Sequence, residues 1–424
     1  MLPTTAAVRP ATSNYRWVIC GLLFFATVIS YVDRGVLGLL EKFLETEIGW
    51  DSVQYSYMTA GFQAAYAIGL IAAGRLTDRL GTRMAFSYAM VIWSLAAMSR
   101  GLIHSALAFG IAMFVLGLGE AANFPACIKT VAEWFPKRER ALATGIFNSG
   151  ANIGNIATPA LVPILTEAFT WKGTFVLTGI TGFVWLVFWL WLYRKPEEHP
   201  GVSEEELALI NSDPQESKAA IPWGRIIPRK ETWAFAIGKF LTDPIWWFYL
   251  FWLPRYLQET FHLTLSQIST PVVVVYTISC AGSIGGGYIS AGLLKRGYAA
   301  NAARKIALLV CALAVVPVMY APYAKNMWVV VALVGLAAAA HQGWSANLFT
   351  LTSDLFPKAA VASVVGMGGM LGSLGGVLFQ PATGYIVKWT NSYVPMFVIA
   401  GFAYITALLV IQLLSPKLTP ARLD

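Results

Sequence analysis

Gly74-Arg75-Leu76-Thr77-Asp78-Arg79-Leu80-Gly81-Thr82-Arg83 is a basic, turn-forming stretch pinned between two apolar runs, 55–73 and 84–98. Each run approaches the ~20 mostly apolar residues that a helix needs to cross a bilayer. Three arginines in so short a connection also fix its side, because cytoplasmic loops carry the excess of Lys and Arg. The stretch predicts two membrane-spanning helices joined in the cytoplasm.

Composition points the same way. Of 424 residues, 57% are hydrophobic and 12% charged, with a mean hydropathy of +0.61; soluble domains carry about 25% charged residues. The net charge of +8 does not indicate nucleic acid, since the basic residues sit mostly in short loops between apolar runs. Cys20, Cys127, Cys280 and Cys311 lie far apart in or beside apolar runs, and no CxxC occurs, so neither a disulfide framework nor a zinc site is expected. The first apolar run, 17–29, leads into a polar-flecked helix and not into a small-residue cleavage site, so no cleavable signal peptide is expected.

Outward from the opening stretch, twelve spans are predicted: 17–40, 55–76, 84–102, 106–130, 141–166, 172–193, 232–257, 269–294, 305–322, 327–352, 360–387 and 393–415. The expected fold is an all-α membrane protein with an N-terminal six-helix bundle at 1–193, a cytoplasmic linker at 194–231 and a C-terminal six-helix bundle at 232–424. The linker is charged and punctuated by proline. Within it, Ser203 followed by Glu204, Glu205 and Glu206 predicts a capped surface helix. Basic residues such as Arg75, Arg79, Lys137, Arg138, Arg194, Lys295 and Arg304 all fall on one side, whereas the loop after span 1 holds Glu41, Glu45, Glu47 and Asp51. Both termini are therefore expected in the cytoplasm. The halves echo each other: Phe135-Pro136-Lys137 recurs as Phe356-Pro357-Lys358, with Gly145 and Gly366 at the same offset and Glu133 and Asp354 just before. Equivalent placement in both halves suits parallel repeats related by an axis along the membrane normal.

Charges at mid-bilayer cost at least ~2.5 kcal/mol on insertion scales, so they are candidate functional groups. Asp33 and Arg34 in span 1 point about 100° apart on a helix. Asp33 can take protons, while Arg34 can grip an anion in a bidentate fork; a mutually neutralising pair is the plain alternative. Glu120 in span 4 shares the stripe of Met113, Gly117 and Phe124 and is a second proton carrier, unless it only bonds a neighbouring helix. Asn148, Asn152 and Asn155 form one polar stripe in span 5, pointing to a wet lumen or interhelical bonds. Tyr31 and Tyr66 could offer hydroxyls to a sugar. In span 7, Lys239 and Asp243 are spaced to satisfy each other, Pro244 is expected to kink or break the helix, and Trp246, Trp247 and Tyr249 offer aromatic platforms or plain lipid packing. In span 10, His341, Gln342, Trp344 and Asn347 make a polar cluster suited to binding.

The stretch 74–83 resembles the signature loop between helices 2 and 3 of the major facilitator superfamily: Gly74, Asp78, Gly81 and the flanking Arg79 and Arg83 fall in place. The resemblance implies that Asp78 latches helices that slide during transport. Over nearly the whole chain, the combination of Tyr31-Val32-Asp33-Arg34, 74–83, 117–125, Ala132-Glu133-Trp134-Phe135-Pro136, 141–154, 239–254 and 340–357 resembles the anion:cation symporters of organic acids, and within them bacterial hexuronate transporters. That likeness implies proton-coupled uptake of glucuronate or galacturonate by alternating access, with Asp33 and Glu120 carrying protons. The substrate carboxylate would sit on Arg34 with help from Lys129. Tyr31, Tyr66, Trp246 and Trp344 would contact the sugar, and Asn148, Gln342 and Asn347 would meet its hydroxyls. The implied partners are a small organic anion, protons and the lipid bilayer, with no cofactor, metal or nucleic acid. The chain would be a monomer in a bacterial inner (cytoplasmic) membrane.

One departure stands out. Relatives usually carry an arginine seven residues before the span-4 glutamate, where this chain has Met113. That arginine pairs with the span-1 and span-4 carboxylates, so Glu120 is expected to lack its cation, and the chain to couple protons poorly or to be held in one state. Gly35 and Ala151 are smaller than their usual counterparts, which leaves the sugar open. Another acid (an aldonate, aldarate or aromatic carboxylate), an uncoupled facilitator and a non-transporting membrane sensor are the rival readings. An enzyme is not expected, because no nucleophile–base pair or metal-ligand spacing appears and the four histidines are scattered.

Overall fold

A backbone N–H or C=O in hydrocarbon has only the chain itself to bond with, so a spanning segment must be helical or part of a closed barrel. The computed structural model describes residues 13–212, 222–418 and 421, and every regular element among them is a helix. The first set is α1 (Tyr15–Ile48), α2 (Ser52–Leu80), α3 (Thr82–Ser99), α4 (Ala106–Glu120), α5 (Asn123–Trp134) and α6 (Lys137–Leu192). Two short helices follow, α7 (Glu204–Ile210) and α8 (Trp223–Ile226). The second set is α9 (Lys230–Phe261), α10 (Leu265–Lys295), α11 (Ala300–Val315), α12 (Met327–Leu355), α13 (Lys358–Thr390) and α14 (Val394–Leu414). Eight helical stretches among the described residues are long and apolar enough to cross a membrane. One of them, Leu142–Leu192, has 51 residues, about 77 Å of helix, more than twice a bilayer core. It is broken at Thr170 (φ 63°, ψ 171°).

Within the first set, α1 packs on α6, α2 on α4, and α3 on both α4 and α6; within the second, α10 packs on α12, and α9 on α13 and α14. The sets meet where α2 touches α13, α6 touches α10 and α1 touches α9.

The opening stretch differs from expectation in one respect. It is not a loop: helix α2 runs on to Leu80 and α3 begins at Thr82. Gly81 alone turns the chain, at φ 77°, where a side chain would be strained. Gly74 and Asp78 lie outside the residues whose side chains are described, so the expected latch is not placed. Arg79 is exposed, and Arg83 donates to the Leu190 carbonyl.

The internal repeat folds twice into the same corner. The helix ends at Phe135 (φ −125°, ψ 136°) or Phe356 (φ −125°, ψ 145°). The next begins after Pro136 (φ −63°, ψ 151°) or Pro357 (φ −62°, ψ 150°). The preceding acids hold neighbouring elements in both copies: Glu133 accepts from Thr82 at 3.0 Å and from Tyr193 at 2.6 Å, and Asp354 accepts from Arg304 at 3.0 Å.

Pro244 neither breaks nor ends α9, which continues to Phe261. Proline leaves the carbonyl four residues back, here that of Phe240, without its helical partner. Gly375 of α13 packs on that carbonyl and on the Pro244 ring, whose Cγ a Cβ at position 375 would meet at 2.8 Å. Replacing Gly375 with Leu is therefore expected to wedge α13 off α9. Overpacking costs ~1–3 kcal/mol, and a lower midpoint of thermal unfolding in detergent checks it.

The predicted linker helix is α7, capped by the Ser203 hydroxyl on the Glu206 amide at 3.1 Å. Its Glu206 reaches back to the start of α1, accepting from the Tyr15 amide at 3.0 Å, the Arg16 amide at 3.1 Å, the Arg16 guanidinium at 2.9 Å and the Ser13 hydroxyl. Burial pushes this carboxyl up, but the hydrogen bonds from Ser13, Arg16 and Tyr15 outweigh it and hold the group below the usual glutamate range. A lowered folded value means that docking is fully stabilised above the unfolded value, near pH 4.3, and weakens as pH falls through the folded one. In Glu206→Gln, amide exchange of the 13–18 peptide is expected to quicken roughly tenfold at neutral pH, and to match the parent in acid. Equal protection at neutral pH would show that Glu206 does not tie the linker to α1.

Candidate functional site

Helix α1 carries two adjacent buried charges, and the helical twist sends them to different neighbours. Arg34, 2% exposed, ion-pairs through Nε with Glu120, 0% exposed, at the C-terminal tip of α4. The Ser30 hydroxyl donates to the same carboxylate oxygen at 2.9 Å. Glu120 thus has a cation, contrary to the expectation drawn from Met113, and that cation comes from α1. The Arg34 guanidinium lies 4.8 Å from the Tyr31 ring, 4.7 Å from Tyr66, 5.4 Å from Phe62 and 5.7 Å from Trp247. Aromatic faces attract the cation and exclude water. Trp247 comes from α9, so the cage spans both helix sets.

Asp33 faces away from this cage. Its Oδ2 accepts from Trp93 Nε1 of α3 at 2.7 Å, and its Oδ1 is buried without a partner. Arg34 pairs with Glu120 and not with its neighbour, so the two charges do not neutralise each other. Met113 is fully buried, with its sulfur 3.7 Å from Nη1 of Arg100. The expected stripe ends early: α4 stops at Glu120, α5 starts at Asn123, and Phe124 turns outward at 39% exposure.

The other expected site residues are spread more widely. Gln342 of α12 donates to Asn152 of α6 at 3.4 Å, linking the sets. Trp246 stacks on His341 (5.1 Å, 13°) among C-terminal helices, and it is Trp247 that stands beside Arg34. Trp344 is fully buried, edge-on to Tyr404, with its indole N–H unpaired. Asn347 donates to the Gly286 and Gly343 carbonyls, each at 2.8 Å, leaving its Oδ1 unpaired. Lys129 donates to the Thr77 carbonyl at 3.0 Å, against the end of α2. Asn148 is exposed.

Sequence reading passed over two glutamines. Gln63 of α2 is fully buried with both amide atoms unpaired, against α13 at Gly376. Gln380 of α13 accepts from Trp252 at 2.6 Å and from Thr59 at 3.3 Å. Asn155 is also buried with both polar atoms unpaired. Buried polar atoms nearly always have partners, so the orphaned amide of Gln63, where α2 meets α13, is a candidate ligand contact. The signal was present: single amides inside apolar runs, at Phe62-Gln63-Ala64 and Phe379-Gln380-Pro381.

The sets are bolted together at one end. Arg255 of α9 pairs with Glu41 and, at 3.1 Å, with Glu45 of α1. Lys42 meets Glu259 at 3.1 Å and Lys388 meets Asp51 at 2.7 Å. Tyr55 donates to the Phe251 carbonyl at 2.7 Å. Towards the other end, the ion pairs Arg16–Glu139 and Arg304–Asp354 each stay within one set.

Paired helix sets joined at one end, with a caged guanidinium and orphaned amides where they meet, define a helical membrane carrier. Residues 23–380 match the family model of the Major Facilitator Superfamily, and the chain belongs to that family. It is 29% identical to the hexuronate transporter of Escherichia coli (strain K12) over 410 residues, 95% of this chain and 94% of that protein. It is equally 29% identical to a probable galactarate/D-glucarate transporter of Bacillus subtilis (strain 168), over 95% of this chain and 93% of that one. The fold matches the crystal structure of a D-xylose-proton symporter (TM-score 0.73, 14% identity, covering 96% and 98%). It also matches a bacterial homolog of the human lysosomal transporter Spinster in an inward-facing, occupied conformation (TM-score 0.72, 16% identity, 96% of each chain).

The bolt generates a prediction. Glu41 is wholly buried, with its second oxygen unpaired. Removing one partner of such a pair costs ~3–5 kcal/mol, because a buried charge is left alone. In Arg255→Gln, spin labels at Tyr57→Cys and Tyr385→Cys are expected to gain a second, longer distance as that end opens. An unchanged single distance would show that Arg255 does not hold it shut.

Proposed function

We propose that the chain is a proton-coupled importer of a sugar-acid anion, a hexuronate such as glucuronate or galacturonate, in a bacterial inner membrane. On this reading the polypeptide crosses twelve times: α4–α5 form one span, α6 forms two spans joined at Thr170, and both termini are cytoplasmic. The halves 1–193 and 232–424 rock about the Arg34 cage, with 194–231 as a cytoplasmic linker. The bolted end is then the outward one, and the site opens to the cytoplasm.

The observation that carries the reading is the Arg34–Glu120 pair inside an aromatic cage. The Nη groups of Arg34 make no hydrogen bond among the described residues, and a planar guanidinium suits a carboxylate. A substrate carboxylate must compete with Glu120 for it. Protonating Glu120 removes that competitor and leaves one anion on one cation, a neutral core that can be carried through the closing step. Asp33 takes a second proton. Each pH unit then adds ~1.4 kcal/mol per proton, and the membrane potential ~2.3 kcal/mol per charge per 100 mV. The relatives that are transporters of hexuronates and aldarates support an acidic sugar.

One observation favours a second reading, an aldarate dianion. Lys239 and Asp243 of α9 form another buried cation–carboxylate pair, at 2.8 Å. Tyr31 interacts electrostatically with both Arg34 and Asp243, so the carboxylate of the second pair acts on a ring of the Arg34 cage.

Uptake of labelled glucuronate and galacturonate into proteoliposomes tests the proposal. An inward proton gradient is expected to drive accumulation, and Arg34→Lys to cut it at least tenfold, since a point charge cannot replace a bidentate fork. Exchange without accumulation would overturn the coupling. Indifference to both sugar acids, with glucarate transported, would transfer the assignment to the dianion.

A further inference from the structure

Arg100 closes α3, in the turn Arg100–Leu102, and is fully buried. Its Nε donates to the Ala97 carbonyl at 3.3 Å and its Nη1 to the Asp33 carbonyl at 3.0 Å; Nη2 has no partner. The guanidinium lies 4.7 Å from the Phe175 ring of α6. No ion pair reaches it among the described residues, so a positive charge sits in an apolar core where its direct contacts are carbonyls, the Phe175 ring and the Met113 sulfur. Such a charge persists only if a negative one lies near.

Two carboxylates act on it, Asp33 and Glu120. Glu120 is already taken by Arg34. Asp33 is not: Oδ1 of Asp33 and Nη2 of Arg100 are both buried and both unpaired, one an acceptor and the other a donor. The groups that face Asp33 come from every helix packed there: Trp93 and Arg100 from α3, Glu120 from α4 and the Thr178 hydroxyl from α6. Among them Arg100 is the one cation that has no carboxylate of its own. Packing supports the assignment, because the Arg100 fork touches the sulfur of Met113, the α4 side chain where a charge would otherwise be sought.

We infer that Arg100 is the counter-charge that governs proton release from Asp33, acting from the end of α3 where α4 offers only Met113. It is a positioning residue: it touches neither anion nor proton, and works through the carboxylate. The inference rests on the proton-coupled reading above, and it reverses the expectation that Met113 leaves the site short of a cation.

The test separates the two. The protonated-carboxyl infrared band of Asp33, assigned by its loss in Asp33→Asn, is titrated in liposomes without substrate, alongside gradient-driven uptake. An opposite charge within a few Å displaces a carboxyl titration by roughly one to three pH units. In Arg100→Gln the band is therefore expected to persist to a pH higher by about that amount, and the pH of half-maximal uptake to move the same way. Accumulation should fall at least tenfold relative to exchange in the same vesicles. Arg100→Lys should titrate near the parent. The relocation Arg100→Met with Met113→Arg should restore most of the parent profile, which no merely structural role for Arg100 would produce. An Asp33 titration in Arg100→Gln that matches the parent overturns the inference, whatever uptake does. A titration that moves as expected, with parent protein that exchanges but does not accumulate, leaves the Arg100–Asp33 pair standing and overturns proton coupling instead. If Arg100→Gln does not fold, the relocation decides: an Asp33 titration there that stays displaced above the parent's overturns the inference.

Discussion

An ionised side chain inside a bilayer must find an opposite charge or give up its own. Helix α1 places two such side chains next to each other, and most of the interior follows from that. Because Asp33 and Arg34 diverge by about 100°, they cannot share one partner. Arg34 turns towards the meeting of the two helix sets, where Glu120 and four aromatic rings receive it. Asp33 turns into the first set, where Trp93 and Arg100 stand. The end of α4 at Glu120 fits the same demand, since a carboxylate at a helix terminus can lean towards α1 more freely than one inside a continuous helix.

Arrangement at the joint follows a second rule, that helices without a hydrophobic force between them hold by close packing. Small residues bring backbones together there. Gly38 of α1 would meet the Leu250 carbonyl of α9 with a Cβ at 2.9 Å, and Gly376 of α13 would meet Gln63 of α2 at 2.7 Å. The first of these contacts lies one helical turn from the charged bolt of Arg255, Glu41 and Glu45. Close-packed, smooth surfaces can separate and re-form without unpicking interdigitated side chains. A few ion pairs then decide which end is shut. The proline-freed carbonyl of Phe240 beneath Gly375 belongs to the same design, a bend in α9 seated directly on the neighbouring helix.

Much of this was legible in the chain. Hydropathy and loop charge gave the succession of helices, and the duplicated Phe-Pro-Lys corner recurs with matching backbone angles. Asp33, Arg34 and Glu120 announced themselves as charges in apolar runs. What sequence could not supply was which group faces which. Periodicity places a residue on a face of its own helix and says nothing about the helix opposite. Hence Glu120 was left without a cation when Arg34 was its partner, and Arg100, inside span 3, was not singled out at all. The choice between Trp246 and Trp247 is one helical step, about 100°, finer than a sequence can resolve. The stretch 74–83 read as a loop because its glycines and arginines suit one, yet helix geometry tolerates them until Gly81, where positive φ enforces the turn.

On the proposed reading, the physics of the Arg34 cage sets how strongly proton and anion can be coupled. A carboxylate of the protein and a carboxylate of the substrate compete for one guanidinium, so anything that neutralises the first strengthens the second. By linkage the converse holds with the same factor. Couplings of this kind run to ~1–3 kcal/mol, or roughly 5–150-fold, and a dry aromatic enclosure pushes towards the upper end because fixed charges are little screened there. The Asp33–Arg100 pair, turned away from the cage, obeys a different logic. It does not compete with the anion; it adjusts the charge beneath the site through α1 itself. Two carboxylates on opposite sides of one helix, each with its own arginine, can then answer separately to the substrate and to the conformation. Carriage in one direction requires both: a proton that enters with the anion, and a proton that leaves only after the helices have moved.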